Sequence, residues 1–185
     1  MILIYIPNFV KIEQYFFELC PFWKAKSIKN QLKIKLMKCL VWTVMTYGAE
    51  GWTFKKEDEC GIESAEMWCY RRLLRVKWNE KRTNESILQQ MQVNTELSGM
   101  VIKRKLTFFG HTCRNSKPTL TKDVIQDRMK EKRKQGRPHT NYIQNIRTWT
   151  ELSNRDEYDT IYKRDEWRDV VERAMRDANT DGGAG

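Results

Sequence analysis

The stretch ESAEMWCYRRLLRVKW, residues 63–78, has a helical period and no strand-like alternation. Counting Ile62 just before it, Ala65, Cys69, Leu73 and Val76 recur on one stripe, with Met67, Tyr70, Leu74 and Trp78 beside it. The pattern predicts a helix from about Glu57 to Trp78. Asp58, Glu59 and Glu63 sit early, and Arg71, Arg72, Arg75 and Lys77 sit late. That order complements the helix dipole. The late cations read either as a solvated helix end or as phosphate contacts.

Upstream, Ile28, Leu32, Leu36, Leu40 and Val44 recur every four residues and predict a helix over 24–47. Ser27 is its candidate cap and Gly48 its stop, since glycine accepts the left-handed conformation at a helix end. Lys26, Lys29, Lys33 and Lys38 then fall on other faces, as a cationic surface. Downstream, Thr83 is placed to cap a short helix carrying Ile87, Leu88 and Met91. QVNT (92–95) breaks it, and an amphipathic run from Glu96 to Phe109 follows, ended by Gly110. Two helices about a tight break admit a helix-turn-helix or plain packing of helix on helix. Residues 115–121 read as a loop. After Pro138 comes a helix with Tyr142, Ile143, Ile146 and Trp149 on one side; Pro is well placed there, at a first helical turn. A last helix over 156–178 buries Ile161, Trp167, Val170, Val171 and Ala174. No alternating run exceeds four residues. The expected fold is mainly α: an irregular bundle of about five or six amphipathic helices with a basic connector. Its expected divisions are an N-terminal segment at 1–23, a helical region at 24–112, the connector at 113–138, C-terminal helices at 139–178 and a disordered tail at 179–185.

The net charge of +10 favours an anionic partner, nucleic acid or an acidic surface. The charge is concentrated. Lys103 to His139 holds twelve Lys and Arg against Asp123, Asp127 and Glu131, whereas acids outnumber bases beyond Glu151. Five cysteines (20, 39, 60, 69 and 113) form no C-x-x-C pair and read as free, buried thiols of a reducing compartment. No secretory or membrane-spanning segment is expected, which places the protein in the nucleus or cytoplasm. His111 and Cys113 are a close pair, but zinc needs four ligands and the other cysteines lie far apart in sequence. No nucleophile elbow, P-loop or dinucleotide fingerprint is present, nor paired acids that would hold two magnesium ions.

The stretch KEKRKQGRPHTNYIQNI, residues 130–146, packs five cations into its first eight positions. Three readings are open. KEKRK (130–134) has the form of a nuclear-import signal. Gly136-Arg137-Pro138 matches the core of an AT-hook, which lies in the narrow minor groove of A·T tracts. The third is a basic connector that touches phosphates and turns into the helix behind it. Lys130, Lys132, Arg133, Lys134 and Arg137 are its candidate contacts, alongside Lys103, Arg104 and Lys105 and the helix-end Arg71, Arg72 and Arg75.

Several blocks occur in a telling order: YGAEGWT (47–53), the stretch at 63–78, RTNESIL (82–88), IKRKLTFFGHTCRN (102–115), KRKQGRPHTNYIQNIRTWT (132–150) and KRDEWRDVV (163–171). Together they resemble the C-terminal region, the thumb and the part downstream of it, of the endonuclease–reverse transcriptase of LINE-type, non-LTR retrotransposons. Thr43, Gly51, Tyr142 and the pair Gln144–Asn145 depart from that family's pattern, which has acids at the last two places. The resemblance implies a remnant of an RNA-directed DNA polymerase that keeps a basic nucleic-acid-binding region. The endonuclease and the magnesium-binding palm have no counterpart here, so no cofactor and no activity in isolation are expected. The implied partners are RNA or DNA through phosphate contacts, and a palm supplied by another copy. The alternative is a fragment that only packs or interacts, without independent function.

Overall fold

The computed structural model describes residues 14, 18, 20–25, 27–115, 120–125, 142–152 and 159–181. Among them the protein is mainly α-helical and has no strand. The helices are α1 (Cys20–Lys24), α2 (Asn30–Met37), α3 (Thr43–Met45), α4 (Lys56–Leu74), α5 (Asn84–Met91), α6 (Leu97–Arg114), α7 (Leu120–Ile125), α8 (Tyr142–Thr150) and α9 (Arg164–Asp181). A π-helical turn, Lys38–Trp42, joins α2 to α3. The chain divides into two compact units that interleave in sequence. One takes residues up to Tyr47, Lys56–Ser98 and the residues from Asn179; the other takes Gly48–Lys55 and Gly99–Ala178.

In the first unit, α4 buries the stripe read from the sequence: Ile62, Ala65, Cys69 and Leu73, with Met67 and Tyr70. Thr83 caps α5, its hydroxyl oxygen accepting from the Ser86 N–H at 3.3 Å, and Ile87 and Met91 point inward. Thr83→Ala should lower stability by about 1 kcal/mol, seen as a fall in Tm without a change in fold.

The helix around residues 30–45 corrects the sequence reading. It starts at Asn30 rather than near Lys24, and Ser27 does not cap it. Two apolar stripes compete along this segment. The expected one leaves Leu32 50% and Leu40 46% exposed. The buried stripe is Ile34, Met37, Val41, Trp42 and Met45. Trp42 decides the contest, since a buried indole removes more apolar area from water than a leucine does. The π turn serves this choice by bringing Val41 and the adjacent Trp42 inside together. Two lysines expected on the surface are engaged. Lys33 is buried, with Nζ donating to the Trp23 carbonyl at 2.9 Å, and Lys38 pairs with Glu96 at 2.6 Å. Gly48 does adopt the left-handed conformation behind this helix, at φ 73°.

Glu66, on the buried side of α4, is fully inside. Its carboxylate accepts from the N–H groups of Glu96 and Leu97, each at 3.0 Å, and from the Tyr70 hydroxyl at 3.1 Å. Donors at the start of α6 are thereby satisfied by a residue thirty positions earlier. Burial holds the Glu66 carboxyl above the usual carboxylate range, and the two N–H donors oppose it.

The second unit has its own core of Ile102, Leu106, Phe109 and Cys113 on α6, Ile146 on α8, Ile161, and Trp167, Val171 and Ala174 on α9. Here too one expectation fails. Gly110 does not end its helix; α6 runs on to Arg114. The Trp167 indole lies against Gly110 and donates Nε1–H to the Leu106 carbonyl at 3.2 Å. A Cβ at position 110 would sit 2.3 Å from that nitrogen. The glycine is there for close approach, not to terminate the helix. The thiols are also mixed: Cys69 and Cys113 are buried as expected, but Cys39 and Cys60 are exposed.

Candidate nucleic-acid interface

The end of α4 and the turns after it hold six cations within twelve residues, Arg71, Arg72, Arg75, Lys77, Lys81 and Arg82, against one acid, Glu80. The C-terminal end of a helix is negative, so cations there are favoured electrostatically before any ligand arrives. The structure gives the six different tasks. Arg71 and Arg82 are half-buried braces. Nη2 of Arg71 donates to the Arg82 carbonyl at 2.8 Å and to Asn84 Oδ1 at 2.9 Å. Nη2 of Arg82 donates to the Ser86 carbonyl and hydroxyl. These contacts tie the segment after α4 back onto it. Arg72 lies over the Trp68 ring, 4.9 Å from its centroid, one helical turn back. That stacking limits the rotamers of an exposed guanidinium while leaving its hydrogen-bond donors outward.

Arg75, Lys77 and Lys81 are exposed. Arg75 terminates α4 in the left-handed conformation, φ 56°. The bonds around it, Arg75 N–H to the Arg72 carbonyl and Val76 N–H to the Arg71 carbonyl, form a Schellman motif. A 3-10 turn, Trp78–Glu80, follows, closed by the Lys77 N–H on Glu80 Oε1 at 3.0 Å, and Lys81 leaves it at φ 44°. The place of Arg71, Arg72 and Arg75 at the helix end was legible from sequence; Lys81, beyond the following turn, was not counted with them. Counting charge across the helix end, instead of stopping at the last periodic residue, would have found it.

The cations of α6 behave otherwise. Lys103 is paired with Glu172 at 2.6 Å, and Arg104 is half-buried. Lys105 overturns its expected role. It is fully buried, and a side chain without exposed surface makes no phosphate contact from outside. Nζ donates to the Trp52 carbonyl at 2.6 Å and to Asn145 Oδ1 at 3.2 Å. It stands 5.1 Å from the Phe54 ring centroid, 4.4 Å from that of Tyr142 and 4.9 Å from that of Trp149. Asn145 completes the box by accepting from Phe54 N–H at 2.9 Å and donating to the Phe54 carbonyl at 2.7 Å. No carboxylate is among these contacts. Desolvation pushes the Lys105 ammonium down to about 7, because carbonyl and ring contacts replace only part of its hydration. Lys130, Lys132, Arg133, Lys134 and Arg137 lie outside the described residues.

His111 is exposed while Cys113 is buried, so the two do not converge. Among the described residues no three His, Cys, Asp or Glu side chains gather as a metal site requires. Among those residues, too, no helix is long and apolar enough to cross a membrane.

The chain is similar to an uncharacterized transposon-derived protein of Caenorhabditis elegans, at 26% identity over 156 residues. The match takes in 78% of this chain and 55% of that protein, so the chain spans about half the length of the relative it matches. No family model matches the chain, and no solved structure does.

Proposed function

We propose that the chain is of transposon origin and, more narrowly, that it is the helical region downstream of the palm in a LINE-type reverse transcriptase, binding nucleic acid through phosphate contacts. The observation that carries this reading is the run of exposed cations at the end of α4, with Arg72 stacked on Trp68 and Arg71 and Arg82 bracing the turn. The ordered sequence blocks and the similarity to a transposon-derived protein support the origin. Such a region has no polymerase chemistry of its own. It grips an RNA or DNA backbone for a palm on the same polypeptide or on another copy, and magnesium belongs to that palm.

The test is salt. Affinity for duplex should fall linearly in log K against log salt. Replacing Arg72 and Lys77 together with alanine should flatten the slope by about 1.8 on DNA, at ~0.9 per lost contact. Equal loss on A·T-rich and G·C-rich duplexes is expected, because backbone contacts carry no base information. A second reading, a packing fragment without nucleic-acid binding, draws on the exposed Leu32, Leu40 and Tyr47. Duplex binding that is absent or insensitive to salt would favour it.

A further inference from the structure

The left-handed region is sterically costly for a residue with a Cβ, and helices that end in this motif carry glycine there by preference. Among the described residues four non-glycine residues adopt positive φ: Arg75, Lys81, Gln92 and Glu151. Two of the four are cations, and they flank the turn that closes the α4 end. Both are exposed, and among the described residues neither side chain has an ion pair or a hydrogen bond. Among the described residues no side-chain contact, and for Arg75 only the general attraction of the negative helix end, accounts for a long cationic side chain at a glycine-favouring position twice within seven residues.

We propose that Arg75 and Lys81 are phosphate-contacting residues, held at the α4 end at the expense of backbone stability. The ligand is the phosphodiester backbone of a nucleic-acid duplex. The proposal rests on the function proposed above and adds to it the two residues whose backbones bear the strain. Arg75 directly follows Leu74, the last residue of α4. Lys81 follows the 3-10 turn and directly precedes the Arg82 carbonyl that Arg71 holds. The backbones of the two are thus held by hydrogen bonds at neighbouring main-chain groups, which sets the point and direction from which each exposed side chain extends.

Gln92 is an internal control. It ends α5 in the same motif, with its N–H on the Gln89 carbonyl and Val93 N–H on the Leu88 carbonyl, at φ 54°, but it is neutral. Arg75→Gly, Lys81→Gly and Gln92→Gly are made singly in the full chain. Thermal unfolding and affinity for a DNA duplex of about 20 base pairs, longer than the reach of a single helix end, are measured across a salt series. All three should raise Tm, by about 1–4 °C, because each relieves a left-handed side chain. Only Arg75→Gly and Lys81→Gly should weaken duplex binding, each flattening the salt slope by about 0.9. Arg75→Lys should retain the slope. If the two cation-to-glycine variants bind with wild-type affinity and slope, or if their Tm does not rise, the proposal is wrong even where the chain binds nucleic acid by other residues. If the wild-type chain itself shows no salt-dependent duplex binding, the function proposed above falls, and this assignment with it.

Discussion

Replacing Gly110 with alanine should destabilise the second unit by about 2–4 kcal/mol, although alanine is the better helix former by about 1 kcal/mol. The new methyl would lie 2.3 Å from Trp167 Nε1 and 2.8 Å from Cδ1. Neither atom is the loose end of a flexible chain. The indole is 3% exposed, and it packs 6.1 Å from the Phe109 ring centroid. It has to withdraw, losing core contacts and the hydrogen bond to the Leu106 carbonyl. An indole N–H without a partner then adds its desolvation penalty to the overpacking. For a chain of this size the loss corresponds to roughly 5–15 °C in Tm. A double-mutant cycle separates this account from a general intolerance of α6. In a Trp167→Leu background, already less stable, the same Gly110→Ala change should cost little or nothing. A full penalty in that background would show that the close approach is not the cause.

The second large effect is a dependence on pH in an unusual direction. In the unfolded chain Lys105 titrates near the ordinary lysine value of about 10.4; in the fold its ammonium is pushed down to about 7. Between those values the unfolded state binds more protons than the native state, so stability rises with pH. From about pH 7 to about pH 9 the gain should be about 2 kcal/mol, or roughly 4–8 °C in Tm. Below that range both states carry the proton, and the contribution levels off at its least favourable value. The window closes at its upper end because burial holds the Cys69 thiol, and the Tyr70 and Tyr142 hydroxyls, in their protonated forms. Those groups take stability away once the unfolded chain begins to ionise them. Unfolding of Lys105→Met, compared with wild type across the same range, isolates the lysine: the rise should be present in wild type and absent in the variant. Parallel curves would mean that Lys105 keeps its charge at ordinary strength inside the box. Asn145 bridges the Phe54 backbone, and among the described residues no carboxylate is in contact with the ammonium.

The amino-acid sequence alone determined that the chain is helical, because period, caps and charge order are local properties. The buried stripe of α4, the Thr83 cap and the inward faces of α8 and α9 all follow from residues within a few turns of one another. The positions of Arg71, Arg72, Arg75 and Lys77 around the end of α4 were legible for the same reason. Local pattern could not decide any choice settled by a partner distant in sequence. Two apolar stripes ran along residues 28–45, and only tertiary packing selected the one that carries Trp42. Lys105 stood in a basic run and read as surface, yet its ammonium is met by a carbonyl 53 residues before it and an amide 40 residues after it. Gly110 read as a stop, but in the fold the indole of Trp167, on another helix, lies against it. Glu66 carries no local signal of a role, and it satisfies N–H donors at the start of another helix. In each case the free energy of burying a charge, a void or a large ring depends on groups that only the fold brings together.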